Sequence, residues 1–75
     1  MWILITSDYD RAYHVQQVME ASYDALEYVI VPYPNDHHRL LIVDDGTVKP
    51  ERVKELRMFA LGACMSYRMM QSAQL

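Results

Sequence analysis

Apolar residues fall into three short runs and two periodic stretches. The first run, WILIT at residues 2–6, is rich in β-branched and aromatic side chains, stops at polar residues and reads as a strand. Behind it Ser7 is placed to cap a helix, with Asp10 three residues on completing an approximate capping box. Ala12, Val15, Met19 and Ser22 or Tyr23 then recur every three or four positions, which predicts a helix from about Asp8 to Ser22 with one stripe facing a core. The second run, LEYVIVPY, is a strand whose Pro32 cannot donate to a ladder and so places it at an edge. PNDH supplies turn chemistry before the third run, RLLIVD, so the two make a hairpin. After the break at DGT, Pro50 suits the first turn of a second helix reaching about Ser72.

The order is therefore β-α-β-β-α, one small α+β domain over residues 1–75. A right-handed crossover through the first helix makes strands one and two run parallel. The hairpin turns strand three against strand two, and the highly apolar LLIV belongs in the middle. The expected architecture is a three-stranded mixed sheet with both helices on one face. That layout resembles a ferredoxin-like fold lacking its last strand.

The pattern contains more apolar surface than this architecture needs. A sheet covered on one side should alternate apolar and polar residues. Here Trp2 and Leu4 are expected to oppose Ile3 and Ile5, Tyr28 and Ile30 to oppose Val29 and Val31, and Leu40 and Ile42 to oppose Leu41 and Val43. The second helix repeats the excess. Val53, Leu56, Ala60, Ala63 and Tyr67 form one stripe, while Met58, Leu61, Met65 and Met69 form another. Methionine is common at adaptable binding surfaces and Gly62 permits close approach, so Met58, Leu61, Gly62, Met65 and Met69 are the expected homodimer interface.

Charge sharpens this reading. The net charge of −3 is divided unevenly: residues 1–45 carry eight acidic and two basic side chains, residues 46–75 five basic and two acidic. Lys54, Arg57 and Arg68 recur along one side of the second helix and are suited to meet acidic groups on a partner. The acidic lobe argues against direct nucleic-acid binding. The start MWILITSDYD has no basic segment of the secretory kind, and no apolar run is long enough for a membrane span. Cys64 is the only cysteine, which fits a reducing, cytoplasmic setting.

Few residues suggest chemistry. LLIVDDGTVKPERVKEL resembles the opening of a response-regulator receiver domain, in which an acidic pair at a strand end holds magnesium. Asp44 and Asp45 would match that pair, but the 30 residues after Asp45 leave no room for the strands that carry the phosphoacceptor and lysine. The letters Asp36-His37-His38 resemble the signature of DHH-type phosphoesterases, whose further motifs have no recognisable counterparts here. Cys64 lies in an apolar helical segment, where cysteine is an inert small hydrophobe. No cofactor or metal ligand set is expected.

The sequence thus predicts a non-enzymatic protein-interaction module. It would bind stoichiometrically, as a homodimeric regulator or inhibitor of a larger, nucleic-acid-handling complex. Size and charge are those of small phage-encoded inhibitors. The expected partner-binding residues are Tyr33, Asp36, Asp44 and Asp45, with the acids entering a basic groove. The alternatives are a purely structural homo-oligomeric subunit and a metal-dependent hydrolase using His37, His38 and aspartates.

Overall fold

The computed structural model of the protein describes residues 1–44 and 46–73, with side chains to residue 70. Strand β1 (Trp2–Thr6) leads to helix α1 (Tyr9–Ser22); β2 (Glu27–Tyr33) and β3 (His37–Val43) follow, and α2 (Pro50–Ala73) closes the order β-α-β-β-α. The sheet order is β1-β3-β2, with β3 central and β2, carrying Pro32, at one edge. The fold is α+β, and the helices lie together on one face. The expected mixed sheet is corrected. β1 and β2 do run in the same direction, but β3 lies between them, and both pairings, β1 with β3 and β2 with β3, are antiparallel.

Local chemistry explains the element boundaries. Asp8, rather than Ser7, caps α1. Its backbone is extended (φ −124°, ψ 119°) and its carboxylate accepts the Asp10 N–H at 3.0 Å. The Ser7 expectation is off by one because Thr6 Oγ1, in the buried last residue of β1, accepts the Asp8 N–H at 3.4 Å. The β2–β3 hairpin turns through Pro34, Asn35 and Asp36. Asn35 (φ 64°) and Asp36 (φ 62°) occupy the left-handed region, which these two residue types tolerate better than most.

The core lies between the helices and the inner sheet face. Val15 and Met19 from α1 and Leu56, Ala60 and Cys64 from α2 form one cluster with Ile3 and Leu4 of β1, Leu40 and Ile42 of β3 and Tyr28 of β2; Ala12 and Val53 are buried as well. β1 departs from strict alternation. Trp2 pairs with Leu41, yet Leu4 pairs with Leu40, so β1 advances two residues for one of β3. This bulge buries consecutive residues, Ile3 and Leu4, and turns Trp2 and Ile5 outward. The expectation that Trp2 shares a face with Leu4, and Ile3 with Ile5, is corrected by that one extra residue.

Tyr28 ties the β2 edge to α1 and its exit. Its hydroxyl donates to the Tyr23 carbonyl at 3.0 Å, and its own carbonyl accepts from Gln16 Nε2 at 3.1 Å. Burial of the phenol raises its pKa above the ordinary 10.0, with Arg52 opposing the shift.

Two outcomes follow. Leu40→Ala, at a fully buried central position, should lose about 2–5 kcal/mol in urea unfolding, a large part of the roughly 5–15 kcal/mol available to a small domain. Tyr28 should contribute its full stability below the unfolded pKa of 10.0 and lose it as pH rises through the higher folded value, because only the unfolded chain ionises readily there. Urea midpoints measured across alkaline pH should therefore fall less steeply for Tyr28→Phe than for the parent chain.

Candidate functional site

Two apolar surfaces remain outside the core. The first is the outer face of the sheet, and the register fixes its layout. Trp2, Leu41 and Val29 form a central row across the three strands; Ile5, Arg39 and Val31 form the row towards the hairpin tip; Val43 and Glu27 form the row at the opposite end. Trp2, Ile5, Val29 and Val43 are exposed, so among the described residues no helix covers this face. Two cations border or interrupt it. Arg39 Cζ stands 5.4 Å from the Tyr33 ring centroid, and its Nε is buried without a hydrogen-bond partner among the described residues. Arg57, from α2, reaches the β1 edge, where its Nε donates to the Trp2 carbonyl at 3.1 Å and its Cζ lies 3.9 Å from the Trp2 ring centroid.

The second surface is the outward side of α2. Met58, Leu61, Met65 and Met69 are 68, 55, 56 and 72% exposed, so the second stripe of the helix is entirely outside the core. Helical geometry puts Lys54, Arg57, Leu61, Met65 and Arg68 on the flank beside β1. Arg57 and Leu61 there line a shallow groove with Trp2, Ile3, Leu4 and Ile5. Gly62 lies on the other flank, in a groove between α1 and α2 lined by His14, Val18, Phe59 and Ser66. A Cβ at Gly62 would meet nothing within 4 Å.

The remaining candidate residues are not gathered in one place. Tyr33 and Asp36 stand at the hairpin end of the sheet. Asp44 follows β3 at the other end, half-buried in a depression with Leu26, Glu27, Thr47 and Val48. Asp45 lies outside the described residues. At about 3.3 Å per residue the length of β3 holds Asp36 and Asp44 roughly 25 Å apart, so no single basic groove of ordinary width takes both. The histidines are also separate: His37 Nδ1 lies 2.8 Å from the Asn35 carbonyl, His38 meets the Tyr9 ring edge-on at 5.4 Å, and His14 stacks on Tyr67 at 4.8 Å. Among the described residues no group of three or more His, Cys, Asp or Glu is arranged to hold a metal ion. Nor is any described helix long and apolar enough to cross a membrane.

The sequence signalled the α2 stripe through its spacing. It missed Arg39 and Glu27, because only the register shows that they share the outer face with the apolar rows. Comparison with known proteins finds no matching family, no matching curated protein and no matching solved structure.

The open space at Gly62 yields a prediction. Gly62→Ala should stabilise the isolated chain by up to about 1 kcal/mol in urea unfolding, since glycine is a poor residue for a helix interior. Loss of stability instead would show that another helix approaches this position closely in solution.

Proposed function

We propose that the protein is a non-enzymatic interaction module, a regulator or inhibitor that acts by stoichiometric binding and works as a homodimer in the cytoplasm. One observation carries the reading: a complete core leaves Met58, Leu61, Met65 and Met69 exposed along a single helix. Isolated apolar residues on a surface need no explanation, but a continuous stripe marks an interaction site. Unbranched, polarisable methionine side chains adapt to a partner's contours.

Charge specifies the partner. Lys54, Arg57 and Arg68 edge the stripe, so the target presents apolar side chains flanked by carboxylates. An amphipathic acidic helix has that chemistry, with its apolar face against the methionines. Such binding would regulate by occupying a surface that the target needs for its own assembly. Asp36 and Asp44, at opposite ends of the sheet, would act as separate contacts rather than as one acidic plug.

The test compares the parent chain with a variant in which Met58, Leu61, Met65 and Met69 are all glutamine. These side chains lie outside the core, so the variant should keep its circular dichroism and urea midpoint. In affinity capture followed by native mass spectrometry, the parent should hold one protein species at fixed stoichiometry and the variant should lose at least nine-tenths of it. Equal capture by both folded chains would sink the reading.

A further inference from the structure

We infer that the outer face of the sheet is the surface on which a second copy of this chain packs, sheet against sheet, with Glu27 of each copy paired to Arg39 of the other. The inference deepens the homodimer reading by placing its interface, and leaves the methionine stripe for a different partner.

The layout of the face is self-complementary. Consider a two-fold axis between two such sheets, parallel to them, at right angles to the strands and over the central row. It sets Trp2, Leu41 and Val29 of one copy against the same residues of the other. It also sets the Val43–Glu27 row of each copy over the Ile5–Arg39–Val31 row of its partner. Glu27 then faces Val31 across the gap and is one strand spacing, about 4.8 Å, to the side of the opposing Arg39. Sheets pack about 10 Å apart, a gap that arginine and glutamate together span. Two equivalent ion pairs result, on either side of an apolar centre.

Among the described residues neither Arg39, which has only the Tyr33 ring beside its guanidinium, nor the exposed Glu27 is in an ion pair. The ion pair there joins Arg52 and Glu55 at 3.3 Å. Arg39 is only half-buried, so a carboxylate from a second copy can pair with the part of its guanidinium that faces solvent. Pairing through the α2 stripe has the opposite electrostatics. Antiparallel helices crossing at Leu61 would bring Lys54 of each to Arg68 of the other, cation against cation. Pairing through strand edges is also obstructed. β2 carries Pro32, and its Tyr28 carbonyl is taken by Gln16; β1 is bulged, and its Trp2 carbonyl is taken by Arg57.

The area is modest. Three strands about 4.8 Å apart, exposing roughly 20 Å of length, give a footprint of about 300 Å² on each copy, or about 600 Å² together, which is small and corresponds to a weak contact. The dimer therefore dissociates at measurable concentrations.

Sedimentation velocity on the purified chain, from micromolar to near-millimolar, tests the assignment with two charge reversals. The parent should dimerise. Arg39→Glu sets carboxylates against carboxylates and Glu27→Arg sets cations against cations, so each should raise the dissociation constant at least tenfold. An equimolar mixture of the two variants restores both pairs and should form a heterodimer. Circular dichroism of each variant checks folding, and recovery in the mixture excludes misfolding as the cause of loss. A parent chain that stays monomeric overturns the proposal, as does a dimer insensitive to both reversals or a mixture of folded variants that remains monomeric. Each of these outcomes leaves the capture experiment on the methionine stripe to be decided separately.

Discussion

Two helices can cover one face of a three-stranded sheet and no more. That constraint governs the rest of the molecule. α1 and α2 lie side by side on the inner face, α1 over β2 and β3 and α2 over β1, with the small residues Ala12, Ala60 and Cys64 buried. The inner surface is closed as a result, whereas Val29, Val43, Ile5 and Trp2 stay exposed on the other side, with Arg57 against Trp2 at the β1 edge. A chain of this size is marginal at burying its own surface. Apolar residues left outside therefore represent stabilisation that only association can supply, and the folded state is favoured further by any partner that binds it.

The β1 bulge resolves a conflict created by that constraint. WILIT is apolar at four of five positions, and strict alternation would bury only every second one. The extra residue at Ile3 directs two consecutive side chains inward, and the following Ile5 returns to the outer face beside Arg39. It also bends an otherwise unprotected edge strand. Arg57 completes the protection from α2, covering the Trp2 carbonyl and ring. Open-ended strand addition is thus disfavoured at β1, as it is at β2 by Pro32 and Gln16. What remains available is a face, and a face can close with a single copy.

Much of the fold was legible because it rests on local signals. The spacing of Ala12, Val15 and Met19 gave α1 its inward stripe, Pro32 placed β2 at an edge, and the turn residues Asn35 and Asp36 marked the hairpin. The bulge was not legible, since a continuously apolar strand carries no alternation from which a slip can be read. For the same reason the two faces of β2 and β3 could not be ranked, although both were visibly apolar. In α2 the inward side is the one bearing Val53, Leu56, Ala60 and Cys64. The outward side keeps the methionines. The candidate acids illustrate a different limit. Asp36 and Asp44 are close in sequence, but a strand between them carries them to opposite ends of the sheet.

The two surfaces have different physical characters, and this separates their roles. The sheet face is built largely of apolar side chains held by ladders on both sides of β3, and it carries Glu27 and Arg39, with Arg57 at its β1 edge. Such a surface suits a symmetric contact with a copy of itself, where every favourable pair occurs twice. The α2 stripe has Lys54, Arg57 and Arg68 along its β1 flank, with Glu55 and Glu51 one and two turns before Met58, so that flank suits a foreign surface of the opposite sign. Packing the sheets together would leave each α2 on the outside of a helix–sheet–sheet–helix assembly, with the two stripes on opposite faces and on the order of 30 Å apart. Both stripes cannot then rest on one flat target. A dimer of this form would bridge two copies of its target or enter a symmetric cleft between them. In the second case the paired sites would act at high effective concentration, and a weak contact at each methionine stripe would suffice for firm binding.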